Sequence, residues 1–113
     1  MTTLYHNPRC SKSREAYSLL TERGIEPIII EYLKEPLNLT QLNELLQKLH
    51  LNASQVIRTK EKEYVEAGLT KLSSEQDCLQ ALIKFPKLLQ RPIFVHGKKA
   101  VIGRPPENIL GLL

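Results

Sequence analysis

The sequence predicts an α/β fold built on a mixed four-stranded sheet, and three observations predict it. A strand, a helix and a second strand follow one another within the first 32 residues. A β-hairpin and a short helix close the chain, and a block of helical segments at about residues 38–89 stands between. A helical crossover makes strands parallel and a hairpin makes them antiparallel. The order is therefore β-α-β, helical block, β-β-α, and we expect one domain over residues 1–113 with the block as an insertion.

The first βαβ unit is indicated by local residue preferences. Residues 2–6 are rich in strand formers and precede Asn-Pro, so they are predicted to be the first strand. Residues 11–23 carry apolar positions three or four apart, and Gly24 stands where a C-terminal cap belongs. The β-branched run at residues 27–32 is predicted to be a strand buried on both faces of the sheet.

The middle of the chain reads as helices. Thr40 is a candidate helix cap, and a stripe of leucines at helical spacing follows it. Shorter helical pieces are predicted at residues 53–58 and 62–67, the second ended by Gly68. A further helix is predicted from Ser73 or Ser74 to the residue before Pro86.

The last part of the chain returns to strands. Residues 91–95 read as a strand with Pro92 at its first position, where a proline is tolerated. Residues 96–99 are a turn, and residues 100–102 form the returning strand of an antiparallel hairpin. A final helix follows, with proline in its first turn and Ile109, Leu110 and Leu112 facing inward.

Composition excludes several classes of function. The formal net charge is +4, from 16 basic and 12 acidic residues, and the basic residues are scattered while aromatics make up only 5%. That pattern does not favour nucleic acid, although it suits a small anion. Two cysteines and three histidines lack metal-ligand spacing, so we expect no metal and no bound cofactor. Without an apolar run of membrane-spanning length or a secretory signal, we expect a cytoplasmic protein and no membrane partner.

The turn after the first strand delivers Cys10 to the start of a helix. Four basic or potentially basic side chains crowd this thiol: His6, Arg9, Lys12 and Arg14. Positive charge and a helix N-terminus both favour the thiolate, which is the nucleophilic form of cysteine. The turn therefore predicts an activated thiol, and the alternative is a buried structural cysteine at a strand–helix junction.

Three further residues bear on this prediction: Ser13, His6 and Cys78. Ser13 occupies the second position of what would be a Cys-x-x-Cys pair, so no disulfide can form there and a thiol cycle needs an external thiol. His6 either helps to activate the thiol or satisfies a backbone carbonyl at the strand end. Cys78 lies on the apolar face of a predicted helix, where a buried, inert thiol is expected.

The chain resembles the glutaredoxin-dependent arsenate reductase family, including its less characterised bacterial members. The resemblance covers essentially the whole chain and implies a thioredoxin/glutaredoxin-like fold. The motifs that carry it are, in order, His6-Asn7-Pro8-Arg9-Cys10 with Ser13-Arg14, Ile57-Arg58 with Tyr64 and Gly68-Leu69, Arg91-Pro92-Ile93, and Gly103-Arg104-Pro105.

The resemblance implies a role for each matching residue. Cys10 matches the family's catalytic cysteine, and His6 matches a histidine linked to activation of the thiol. Pro92 matches the cis-proline that thioredoxin-like folds place opposite the active cysteine. Three arginines match those that surround the cysteine and hold the oxyanion: Arg58, Arg91 and Arg104.

The implied reaction is the reduction of arsenate to arsenite. Arginine suits a tetrahedral oxyanion because its planar fork of donors remains charged. Cys10 would attack arsenate, glutathione would act as co-substrate, and glutaredoxin would restore the thiol. Two other functions stay open. One is a thioredoxin-fold regulator that binds RNA polymerase, although Ser13 removes its usual redox switch; the other is a general monothiol glutathione-linked oxidoreductase.

Overall fold

The computed structural model describes residues 2–113. The elements of the described chain alternate as predicted between strands and helices. In chain order they are β1 (Thr2–Tyr5), α1 (Ser11–Glu22), β2 (Ile28–Ile30), α2 (Leu39–Leu49), a 3₁₀ helix (Ala53–Val56), α3 (Lys62–Glu66), α4 (Glu75–Lys84), a 3₁₀ helix (Pro86–Leu88), β3 (Ile93–His96), β4 (Lys99–Ile102) and a 3₁₀ helix (Pro106–Leu112).

The chain forms two compact units. The first contains the residues up to Glu35 together with Arg91–Leu113, and the second contains Pro36–Gln90. The second unit thus holds the helical block predicted at residues 38–89, while the single-domain organisation stays a prediction. None of the helices in residues 2–113 combines the length and the apolar composition that crossing a membrane requires.

The first unit is built on the predicted mixed sheet, with strand order β2-β1-β3-β4. Strand β1 pairs in parallel with β2 and antiparallel with β3, and β3 pairs antiparallel with β4. A core of fully buried side chains joins the sheet to α1 and to the last 3₁₀ helix. Its members are Leu4, Ala16, Leu20, Phe94 and Ile109. Strand β1 is paired on both sides, so the position of its C-terminal end is well defined. The turn that carries Cys10 begins there.

Two expectations for this unit were wrong in detail. Strand β2 is not buried on both faces: Ile28 is 50% exposed and Ile29 is 38% exposed. The reason is its place at the edge of the sheet, where it pairs with β1 alone. The final helix is a 3₁₀ helix over Pro106–Leu112, although Ile109 is buried in the core as predicted.

The second unit corrects two helix boundaries. Helix α2 is capped by Asn38 rather than Thr40, because Asn38 and Gln41 form a complete capping box. The helical piece predicted at residues 53–58 ends at Val56. Ile57 instead forms a β-bridge with Leu89, so the chain is extended where it reaches Arg58.

Candidate active site

Cys10 ends the turn after β1 and is the N-cap residue of α1. Its backbone is extended, with φ −94° and ψ 123°. The Cys10 N–H donates to the Asn7 carbonyl at 2.9 Å, and the Cys10 carbonyl accepts from the Arg14 N–H at 3.0 Å. The thiol is therefore held at the position where a helix leaves backbone N–H groups unsatisfied.

Asn7 organises this turn, and our sequence reasoning missed it. The side chain is buried, and its Oδ1 accepts from the Arg9 N–H at 3.0 Å. The backbone N–H of Asn7 donates to Ser13 Oγ at 3.0 Å. The Asn-Pro pair could have revealed this residue, because an asparagine side chain commonly accepts from the N–H two positions later.

Ser13 and His6 form the support beneath the turn. Ser13 is fully buried, and its Oγ lies 2.6 Å from His6 Nδ1. Burial lowers the pKa of His6, with Glu31 raising it and Arg14 lowering it further. When His6 is neutral and carries its proton on Nε2, Nδ1 accepts a hydrogen bond from the Ser13 hydroxyl, while Ser13 Oγ accepts from the backbone N–H of Asn7. His6 Nδ1 is thus bonded to Ser13 and not to a backbone carbonyl, and the predicted role of His6 in activating the thiol stays a prediction.

Two arginines, Arg91 and Arg104, lie beside the thiol. Arg104 Nη2 lies 3.5 Å from Cys10 Sγ, and Arg104 Nε donates to the Arg91 carbonyl at 2.7 Å. Burial by itself raises the pKa of Cys10. The N–H groups of Ser13 and Lys12, a hydrogen bond from the Arg91 side chain and the charge of Arg104 together outweigh burial. The pKa of the Cys10 thiol is therefore lower than that of an ordinary cysteine, although the thiol forms no conventional capping bond.

Pro92 and Gly103 hold the two arginines in place. The Arg91–Pro92 bond is cis, as the family resemblance implied, and the Arg104–Pro105 bond is also cis, which was not predicted. The Gly103 N–H donates to the Pro92 carbonyl at 2.8 Å. A Cβ atom on Gly103 would lie 2.9 Å from Pro92 Cγ, so glycine is required for this approach.

Arg58 lies in the second unit. Its backbone N–H donates to the Leu88 carbonyl at 2.7 Å, and its Nε lies 3.1 Å from Glu61 Oε1. Both side chains of this pair are 23% exposed. The other predicted residues are brought together within the first unit: His6, Cys10, Ser13, Arg91, Pro92 and Arg104. The role of Arg58 as an oxyanion ligand stays a prediction.

Cys78 behaves as expected of a structural cysteine. It is 4% exposed on α4, and burial raises its pKa, with Glu75 and Asp77 adding to the effect. A raised pKa and burial both disfavour a reactive thiolate. Over residues 2–113, no group of three or more His, Cys, Asp and Glu residues is arranged to hold a metal ion.

The fold and the site together define a class of protein. Cys10, whose pKa is lowered, occupies the N-cap position of α1, the Arg91 and Arg104 side chains bond to its thiol, and the peptide bond before Pro92 is cis. This is a thioredoxin-like thiol protein whose reactive cysteine lies beside two arginines. The comparison with known families is more specific: residues 5–112 match the ArsC family, and the chain belongs to that family.

Relatives of known sequence cover almost the whole chain. A protein of Escherichia coli K12 described as "Uncharacterized protein YfgD" is 47% identical over 112 residues, which are 97% of this chain and 94% of the relative. A protein of Neisseria meningitidis serogroup A named arsenate reductase is 45% identical, over 97% of this chain and 96% of the relative. The predicted family, which includes less characterised bacterial members, is confirmed.

Solved structures show the same fold. A putative arsenate reductase from Yersinia pestis superposes with a TM-score of 0.92 at 46% identity, covering 98% of this chain and 99% of that one. An arsenate reductase from Vibrio cholerae superposes with a TM-score of 0.94 at 41% identity, covering 99% and 97%. The predicted thioredoxin-like fold class is confirmed.

Proposed function

We propose that this protein reduces arsenate to arsenite, with the Cys10 thiolate as nucleophile. The observation that carries the proposal is the contact of Arg104 Nη2 with Cys10 Sγ at 3.5 Å, at the N-terminus of α1. A cation beside a nucleophile allows it to approach an anion. Membership of the ArsC family, and relatives named arsenate reductases, support the enzyme class and the substrate.

The first step joins the thiol to arsenate. The Cys10 thiolate attacks the arsenic atom of dihydrogen arsenate, an As–O bond breaks, and the departing hydroxyl takes a proton from solvent and leaves as water. The product is a thiol–arsenate adduct in which arsenic is still As(V). Arg91 and Arg104 would hold the oxygens, with Arg58 completing the set, since arginine matches a tetrahedral oxyanion with two parallel donors.

The second step transfers the electrons. An external thiol attacks Cys10 sulfur, the S–As bond breaks, and its electron pair remains on arsenic, which leaves as arsenite, As(III). The two sulfurs become a mixed disulfide. Ser13 supplies no second thiol at the Cys-x-x position, and we propose glutathione as the external thiol and glutaredoxin as the protein that restores Cys10.

Ser13 and His6 would support this chemistry without touching arsenate. Ser13 is fully buried, and it ties the first turn of α1 both to Asn7 and to the His6 ring. The network keeps the N–H groups of Lys12 and Ser13 directed at the thiol. Preorganised donors of this kind stabilise the thiolate without rearranging during the reaction.

A coupled assay tests the proposal. Purified protein with arsenate, glutathione, glutaredoxin and glutathione reductase should consume NADPH, and Cys10→Ser should abolish the consumption. Cys78→Ala is the matched control and should retain activity, because that thiol is buried in α4. If the wild-type protein shows no arsenate-dependent turnover, the substrate assignment is wrong.

A general monothiol oxidoreductase is the second candidate, favoured by Ser13 at the Cys-x-x position. It would act on glutathione mixed disulfides at rates that do not depend on Arg91 and Arg104. Strong dependence of the reduction of glutathione mixed disulfides on Arg91 and Arg104 would count against it. Binding to RNA polymerase stays untested, and recovery of polymerase subunits with the purified protein would support it.

A further inference from the structure

Two cationic side chains beside Cys10 take no part in holding the turn together. Arg9 and Lys12 have exposed side chains. Only their backbone N–H groups bond within the turn, that of Arg9 to Asn7 Oδ1 and that of Lys12 to the thiol. In the described chain the Arg9 side chain has no hydrogen-bonded or ion-paired partner. Lys12 Nζ lies 3.9 Å from Glu15 Oε2, a long contact at the surface. Both charges are therefore available to a ligand that reaches the thiol.

Lys12 stands in the first turn of α1, where a positive charge is unfavourable for helix stability. The N-terminus of a helix carries partial positive charge, so acidic residues are favoured in the first turn and cations are disfavoured. Helix α4 follows the rule with Glu75 and Asp77, whereas the first turn of α1 has no acidic residue and contains Lys12. Departures from local preference tend to occur at functional sites, where another requirement outweighs stability.

The chemistry at Cys10 supplies that requirement. Ser13 replaces the second cysteine of a Cys-x-x-Cys pair, and Cys78 is 4% exposed on α4. A disulfide or adduct on Cys10 must therefore be resolved by a thiol from solution. We propose that Arg9 and Lys12 are specificity-determining residues that select an anionic thiol for this step. The inference rests on Cys10 being the nucleophile of the proposed function.

Charge at this range is sufficient for selection. Charges interact over a Debye length of about 8 Å at physiological ionic strength. Consecutive Cα atoms are about 3.8 Å apart, so the Cα atoms of Arg9 and Lys12 lie within roughly 8 Å of that of Cys10, and their side chains can reach a ligand approaching the thiol. A thiol that carries a carboxylate is attracted as it approaches, and a thiol that carries an ammonium group is repelled. Selection of this kind acts on the encounter and weakens as salt is added.

The step can be measured without arsenate. Cys10 is first converted to its mixed disulfide with thionitrobenzoate, and Cys10→Ser should take up none of the label. An incoming thiolate then attacks Cys10 sulfur, a new S–S bond forms, and the electron pair of the old bond leaves with thionitrobenzoate, whose absorbance is followed. The incoming thiols are mercaptoacetate (anionic), 2-mercaptoethanol (neutral) and cysteamine (cationic). The rate of each thiol with the labelled protein is divided by its rate with a small free disulfide of thionitrobenzoate, which removes differences in intrinsic reactivity between the thiols.

The proposal predicts a charge order. Corrected rates should fall from mercaptoacetate to 2-mercaptoethanol to cysteamine, and the anionic-to-neutral ratio should exceed one. Arg9→Gln and Lys12→Gln should each lower that ratio by about two- to five-fold, the range expected for one exposed charge. The double variant should lower the ratio further than either single variant, with the remainder due to Arg91 and Arg104 beside the thiol, and 1 M salt should lower the ratio of the wild type. The ratio cancels any effect of a variant on the departing thionitrobenzoate.

Arg23→Gln is the matched control. Arg23 is an exposed arginine at the other end of α1, a helix of 12 residues. At 1.5 Å per residue it is roughly 18 Å away, beyond the screening length, so its loss should leave the ratio unchanged. Circular dichroism of each variant verifies that α1 is intact.

Three results would overturn the inference: no label on Cys10, a wild-type ratio of one, or a ratio that the double variant leaves unchanged. Failure of the proposed function looks different. A protein that shows the charge order but no arsenate turnover keeps Arg9 and Lys12 as selectors and loses arsenate as the substrate.

Discussion

At the scale of the residue, the properties of Cys10 arise from groups that the turn and the hairpin bring to it. Backbone N–H groups at the start of α1 and the guanidinium of Arg104 act on the same sulfur. Each favours the thiolate, and together they overcome the effect of burial, which acts in the opposite direction. Reactivity at neutral pH therefore depends on contacts from distant parts of the sequence.

Replacing Arg104 should move the ionisation of the thiol. Arg104→Gln removes a positive charge beside Cys10 Sγ, so the pKa of Cys10 should rise and the pH profile of its alkylation by iodoacetamide should shift to higher pH. At neutral pH the rate should fall by about two- to five-fold, since the charge is partly exposed. Arg23→Gln should leave the profile in place. A profile unchanged by Arg104→Gln would show that Arg104 does not stabilise the thiolate.

His6 should link stability to pH. Burial lowers the pKa of His6 in the folded chain, whereas an unfolded histidine has a pKa of about 6.5. Between these values the unfolded chain binds more protons, so the free energy of unfolding should decrease as pH falls below about 6.5. His6→Asn keeps a polar partner for Ser13 without titrating, so it should lose part of this acid dependence in urea unfolding. The exposed His96→Asn should retain it, and identical pH dependence in His6→Asn and wild type would contradict the account.

At the scale of the element, the hairpin and the last 3₁₀ helix position the arginines through close packing at Gly103. Its N–H bonds the Pro92 carbonyl, and its Cα faces the Pro92 ring and Ile109. Arg104 follows directly and reaches back to the Arg91 carbonyl. The strand end and the helix entry thus form one rigid support for the cationic side of the site.

Gly103→Ala should disturb that support. The added methyl would lie 2.9 Å from Pro92 Cγ and 3.3 Å from Ile109 Cγ2. Overpacking of this kind costs about 1–3 kcal/mol of stability, and displacement of Pro92 should also slow alkylation of Cys10. In Gly111→Ala the methyl meets nothing within 4 Å, so both quantities should stay near wild type. Equal stability of the two variants in urea unfolding would show that the packing at Gly103 is not restrictive.

Local signals account for the elements that the sequence predicted well. The leucine stripe of α2 and the proline and glycine residues of the hairpin are local patterns, so they can be recognised from the sequence alone. The edge position of β2 depends on the order of strands in the finished sheet, so its exposed isoleucines could not be predicted. Asn38 is a better candidate for the cap than Thr40 on the sequence itself, because Gln41 stands where it completes a capping box with Asn38.

At the scale of the whole molecule, the site residues come from widely separated parts of the chain. Arg104 is 94 positions from Cys10, and their contact follows from the pairing of β1 with β3 and β3 with β4. No periodicity or turn signal carries such information. The sequence could therefore predict the cysteine turn from local chemistry, whereas the convergence of arginines was available only through resemblance to a family.

The single-domain prediction has a measurable consequence. A chain of 113 residues that folds as one domain should unfold in one cooperative transition. Helical circular dichroism and tyrosine fluorescence should give the same urea midpoint. Asn38→Ala, which removes the cap of α2, should lower both midpoints together, by about 0.5–2 kcal/mol in stability. Separate midpoints would show that Pro36–Gln90 unfolds on its own.

The proposed function requires Cys10 to pass electrons to arsenate within a cationic site. A single turnover tests it most directly: the reduced protein is mixed with arsenate and glutathione, without glutaredoxin, and arsenite and the mass of the protein are measured. We expect about one arsenite per protein chain and one glutathione joined to Cys10. Loss of both products is expected in Cys10→Ser. No arsenite from the wild type, or undiminished arsenite from Cys10→Ser, would contradict the account.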